Sequence, residues 1–106
     1  MPLLNILILQ YADDRFPGWV ECALVDAFSA RHLFHEKVPV VTALSLDAKS
    51  KYPQPGFMAC EVEASWLDEA GRILVRVNTE RPWGVQSTVG VTRFVVFQTQ
   101  LGSPVS

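Results

Sequence analysis

Apolar and polar residues alternate with a period of two in several segments of this chain, other segments are apolar on both faces, and the period of 3.6 that marks helices is almost absent. Short segments rich in Gly, Pro and Asp separate the alternating runs, which is typical of strands joined by turns. The predicted strands are residues 3–11, 19–27, 31–37, 57–67, 73–78 and 92–98. We therefore expect an all-β fold, in the form of a small, bent, partly open antiparallel barrel of about six strands.

The sharpest local prediction is a hairpin formed by residues 57–67 and 73–78. Apolar residues at the even positions from Met58 to Trp66 share one face, and Glu61 and Glu63 share the other. Gly71 closes the intervening turn, where a positive φ is expected. With Leu67 opposite Arg72, the predicted cross-strand pairs are Trp66 with Ile73, Ala64 with Val75, Val62 with Val77, and Glu63 with Arg76.

The other segments give coarser predictions. A turn at residues 28–30 joins strands 19–27 and 31–37 into a hairpin. Pro39 makes residues 38–41 an edge strand or a bend, because proline cannot donate to a ladder. Residues 44–51 could hold one helical turn, and the two prolines of residues 52–56 predict a stiff, extended connection. We expect one β domain over residues 1–101 and a disordered tail over residues 102–106.

Charge and composition narrow the class of partner. The chain of 106 residues carries nine Lys and Arg against eleven Asp and Glu, and its longest basic stretch is Lys49-Ser50-Lys51. No cluster of cations is therefore available for phosphates, and nucleic acid or a membrane surface is not the expected partner. The apolar N-terminus has no basic flank and no cleavage site, so we expect an N-terminal strand and a cytoplasmic protein.

Candidate chemistry is sparse. His32, His35 and Glu36 form the one metal-like cluster, but on a strand the two histidines point to opposite faces. Cys22 and Cys60 lie in apolar runs and fit two buried free thiols, with a disulfide as the alternative. Asp13-Asp14 fits a solvated turn, and Glu61 and Glu63 fit a polar sheet face. We expect no catalytic site, no metal, no cofactor and no enzymatic activity.

Trp83 is the most interesting residue, because it lies between Pro82 and Gly84 in a loop. It either anchors a partner or folds back to plug one end of the barrel. The candidate partner-binding residues are Trp83, Arg81, Tyr52 and Trp19. The leading hypothesis is a binding module for protein partners, since strands that are apolar on both faces usually meet another chain.

Two further hypotheses concern partners. The first is a single-stranded nucleic-acid binder that stacks bases on Trp19, Tyr52 and Trp83 beside Arg81 and Arg93. The second is a homodimer. Strand 92–98 carries Phe94 and Val96 on one face and Val95 and Phe97 on the other, which predicts a central or doubly covered strand. If the equally two-sided strand 3–9 does not shelter it, a second copy does.

Four phrases resemble a group of short bacterial proteins of unknown function. They are Gly18-Trp19-Val20-Glu21-Cys22, Glu36-Lys37-Val38-Pro39-Val40-Val41, Tyr52-Pro53-Gln54-Pro55-Gly56 and Arg81-Pro82-Trp83-Gly84-Val85. The resemblance covers nearly the whole chain. It implies a bacterial, cytosolic, stand-alone domain and no particular activity.

Overall fold

Two antiparallel β-sheets make up most of the molecule in the computed structural model, which describes residues 2–102. The first sheet holds β1 (Leu3–Asp13), β2 (Trp19–Val25), β3 (Arg31–Lys37) and β4 (Gln54–Ala59), in the order β3-β2-β1-β4, and the two-residue β8 (Leu101–Gly102) pairs with β1. The second sheet holds β5 (Glu61–Leu67), β6 (Ile73–Asn78) and β7 (Arg93–Phe97), in that order. The mostly β prediction is confirmed, and the sheets of residues 2–102 do not close into a barrel.

The core lies between the inner faces of the two sheets. Alternation along β1 buries Leu4, Ile6 and Ile8, and the same period buries Val20, Cys22 and Leu24 of β2, as predicted for that strand. The second sheet contributes its own inner residues, which are Val75, Val77, Phe94 and Val96. Phe34 of β3 packs against Phe94 of β7 with ring centroids 5.6 Å apart, so the two sheets share one core.

The predicted strand 57–67 is two strands that belong to different sheets. Cys60 separates β4 from β5, and its backbone N–H donates to the carbonyl of Pro2. β4 also begins earlier than predicted, because Gln54–Gly56 pair with β1 instead of forming a connection. An apolar residue continues at every even position across Cys60, so this face alone does not reveal the change of sheet.

The predicted register of the β5–β6 hairpin is wrong by one residue over most of its length. Leu67 pairs with Ile73, Trp66 with Leu74 and Ser65 with Val75, and only the pair Val62–Val77 is as predicted. The Asp68 carboxylate accepts hydrogen bonds from the backbone N–H groups of Ala70 and Arg72, which stabilises a longer loop. A β-bulge between Val62 and Ala64 then restores the phase.

Three other expectations are corrected. Val38–Val41 form a short helix, α1, and Pro39 fits there because the first helical turn needs no N–H donor. Residues 44–51 contain turns and no helix. β7 is not central: it lies at the edge of the second sheet, and β1 pairs with β2, β4 and β8 instead of with β7.

Gly102 was expected in the disordered tail, but it belongs to β8 and pairs with Leu3 of β1. The rest of the predicted tail, residues 103–106, lies outside the described residues. No helix within residues 2–102 is long and apolar enough to cross a lipid bilayer.

Candidate functional site

The outer face of the first sheet carries a row of apolar side chains that crosses all four main strands. The register places Leu33 of β3, Ala23 of β2, Leu7 of β1 and Pro55 of β4 directly beside one another. Leu33 remains 44% exposed and Leu7 remains 41% exposed, whereas Ala23 between them is buried. We call Leu7, Ala23, Leu33 and Pro55 the outer row.

Two shallow hollows flank the outer row. One, of about 290 Å³, is lined by Leu33, Glu21 and Arg31 among others. The other, of about 280 Å³, is lined by Leu7, Ala23 and Arg31 among others. Ala23 is small and separates the larger Leu7 and Leu33, so the face alternates between ridges and hollows. Charges of both signs border it.

The second exposed apolar region is the free edge of the second sheet. β5 pairs with β6 only, and none of its residues is buried. Val62, Trp66 and Leu67 are exposed along it. Two of the other outer strands are partly covered: Leu33 of β3 accepts a hydrogen bond from the N–H of Thr88, and Val95 of β7 accepts one from the N–H of Ala27. No backbone hydrogen bond within residues 2–102 reaches the outer edge of β5, so that edge is open.

The residues predicted to bind partners lie in three separate places. Trp83 is 53% exposed and shares the turn after β6 with the exposed Arg81, so it does not plug the core. Trp19 lies on β2, stacked on His35 at 5.0 Å. Tyr52 packs against the core before β4, and its hydroxyl donates to the carbonyl of Asp47.

The nucleic-acid platform predicted from the sequence also includes Arg93. Its Nε donates to Glu63 at 3.0 Å, so this guanidinium is already engaged. The hydrogen bond from Arg93 holds the pKa of Glu63 below its usual range. Arg76 adds a second contact to the same carboxylate, at 3.4 Å.

The histidines lie on opposite faces of β3, as the strand prediction required. His32 packs edge-on against Phe94, and its Nε2 lies 2.8 Å from Oδ2 of Asp26. His35 stacks on Trp19 on the outer face. Glu36 is half-buried, and burial raises its pKa. Residues 2–102 contain no group of three His, Cys, Asp or Glu side chains placed to share a metal ion.

Both cysteines are free and buried, as predicted. Burial raises the pKa of the Cys22 thiol to about 12 and that of the Cys60 thiol to about 11. A thiol that stays protonated at neutral pH is a poor nucleophile, so neither group is activated for covalent chemistry.

Sequence reasoning missed both exposed regions. The outer row is visible only after the register brings Leu7, Leu33 and Pro55 together from three strands. A signal for the open edge was present in Glu61 to Leu67, which lacks the Lys or Pro that usually protects an edge strand.

Comparison with known proteins adds no assignment: the chain matches no protein-family model, no curated protein and no solved structure. The resemblance to short bacterial proteins stays a prediction.

Proposed function

We propose that this protein is a non-enzymatic binding module for protein partners, and that its first partner is a second copy of the chain. The outer row is the observation that carries the proposal. Antiparallel sheets usually expose a polar face to water, whereas here apolar side chains cross the whole sheet. Exposed apolar patches of this kind mark protein–protein contacts.

Shape and charge support a second copy as the occupant. Leu7 and Leu33 project on either side of Ala23, so the leucines of one copy fit the hollows of the other. Arg31 and Glu21 border the same hollow, so a copy facing this sheet offers an acid for each base. A surface that complements itself in this way suits an isologous dimer.

This placement differs from the surface predicted at Val95 and Phe97. Both residues are half-buried, and the Arg72 guanidinium covers the Phe97 ring at 4.7 Å from its centroid. The apolar surplus that predicted a dimer is therefore better exposed at the outer row.

Sedimentation equilibrium over a range of micromolar concentrations tests the proposal. The wild type dimerises, and Leu33→Lys weakens the dimer about tenfold or more because it buries a charge at the centre of the contact. Leu44→Lys is the matched control, since Leu44 is 62% exposed in the loop after α1, away from the outer row. A wild type that stays at 11.8 kDa throughout overturns the proposal.

We also infer that the two sheets act as one partly open barrel. β4 continues into β5 across Cys60 alone. At the opposite edge of the second sheet, the Ala27 N–H donates to the Val95 carbonyl at 2.9 Å and links the β2–β3 turn to β7. These two connections support a bent, continuous sheet around the shared core. If they act as one unit, hydrogen exchange of β2 and β7 amides shows a common opening free energy; separate values contradict it.

A further inference from the structure

The open edge of β5 lies between two exposed carboxylates. The segment from Glu61 to Gly71 contains four acidic side chains and no basic one before Arg72. Glu63 is paired with Arg76 and Arg93, and Asp68 is paired with Arg72 at 2.8 Å. Glu61, at the start of β5, and Glu69, just beyond its end, have no ion pair within residues 2–102.

The edge between these carboxylates also offers unpaired backbone groups and exposed apolar side chains, which are the other two features that an added strand needs. Its backbone groups on one side have no partner among the described residues. Trp66 projects on the face of Leu74 and Arg76, and Val62 and Leu67 project on the opposite face, as their cross-strand partners show. An added strand would therefore find apolar contacts on both faces as well as a hydrogen-bond ladder.

We propose that β5 binds an extended segment of another protein that has apolar residues in its middle and a Lys or Arg at each end. The bound segment adds a strand to the second sheet and places its two cations against Glu61 and Glu69. The two carboxylates are eight residues apart in sequence, and cations at the same spacing in an extended bound strand are about 26 Å apart.

Charge excludes a second copy as the preferred occupant of this edge. β5 contains no Lys or Arg, so the β5 of a second copy leaves Glu61 and Glu69 without the cations that the proposed segment supplies. The site is also separate from the outer row, which lies on the other sheet. The proposal therefore stands whether or not the dimer forms.

Two synthetic nonapeptides test the proposal on the full chain. The probe is acetyl-Lys-Thr-Val-Thr-Val-Thr-Val-Thr-Lys-amide, and the control carries Glu in place of both Lys residues. Hydrogen exchange followed by NMR reports which amides become protected. The Lys peptide protects alternate amides of β5, binds about tenfold or more tightly than the Glu peptide, and binds more weakly as salt is added.

The double variant Glu61→Gln with Glu69→Gln separates charge from ladder formation. It removes most of the preference for the Lys peptide, and the matched control Asp14→Asn, in the β1–β2 turn, leaves the preference unchanged. The proposal is overturned if neither peptide protects β5, or if both bind equally. It is also overturned if β5 becomes protected on raising the protein concentration alone, because a second copy then fills the edge.

Discussion

β4 and β5 follow one another with only Cys60 between them, yet their environments are opposite. Gly56, Met58 and Ala59 of β4 are buried, whereas no residue of β5 is buried. β4 has β1 on one edge and α1 beside it, while β5 has β6 alone. β5 alternates apolar and polar residues, whereas β4 has no polar side chain after Gln54, so the sequences of the two strands already differ as their burial does.

The largest expected effect comes from truncating one apolar side chain in each strand. Met58→Ala leaves a cavity beside Leu4 in the core and destabilises the fold by about 2–5 kcal/mol. Leu67→Ala, at a side chain that is 67% exposed, changes stability by about 0.5 kcal/mol or less. Urea unfolding measures both, and equal losses would contradict the contrast between the strands.

Adding a methyl group to β4, instead of truncating a side chain, sharpens the comparison. A Cβ at Gly56 would lie 2.8 Å from the Val41 carbonyl oxygen and 2.7 Å from Cγ1 of Ile8. Gly56→Ala therefore destabilises the protein by about 1–3 kcal/mol. A Cβ at Gly102 meets its nearest atom at 3.5 Å, so Gly102→Ala is the matched control with little effect on the midpoint. A neutral Gly56→Ala would show that β4 is not tightly packed against α1.

A smaller effect is expected at the other connection between the sheets, in the β2–β3 turn. Burial raises the pKa of Asp26, but hydrogen bonds from His32, Ala30 and Phe28 outweigh it and leave the pKa below its usual value. The ionised form is therefore favoured in the folded state. Its contribution to stability is complete above the unfolded-state pKa of about 4 and is lost as pH falls through the folded-state pKa.

Asp26→Asn tests this sign directly. The variant loses about 1–2 kcal/mol at neutral pH, because a neutral amide accepts these hydrogen bonds more weakly. It also flattens the fall in stability below pH 4 when urea unfolding is repeated along a pH series. Asp14→Asn, in the exposed β1–β2 turn, is the control. If the free energy of unfolding of the variant falls with pH as steeply as that of the wild type, Asp26 is not the source of the acid sensitivity.

Thiol labelling leaves the sequence unchanged and reports on the junction between β4 and β5, where Cys60 lies. Both cysteines stay protonated at neutral pH, Cys22 with a pKa of about 12 and Cys60 with a pKa of about 11. Iodoacetamide at pH 8 should therefore modify native Cys22 about a thousandfold more slowly than a free thiol. Mass spectrometry after timed quenching measures the rate at each site. Rapid labelling of Cys60 in native protein would mean that the β4–β5 junction opens.

The sequence predicted the positions of the strands better than it predicted which strands pair with one another. Alternation located β2, β3 and β6, and runs that are apolar on both faces located β1 and β7, all to within about two residues, because these patterns depend on local burial alone. The split at Cys60 and the place of β7 at an edge depend on pairings far apart in the chain, which a local pattern does not record. The same limit applies to function. Trp83 was recognisable in the sequence as an aromatic residue in a loop, but Leu7 and Leu33 share a surface only because both strands pair with β2 at Ala23.

One NMR dilution series compares the two exposed regions in a single experiment. Amide shifts are recorded from high to low protein concentration without any added partner. We predict concentration-dependent shifts in β1, β2 and β3 around Leu7, Ala23 and Leu33, and constant shifts throughout β5. Shifts confined to β5, or none at any concentration, would contradict the proposal that a second copy docks on the outer row.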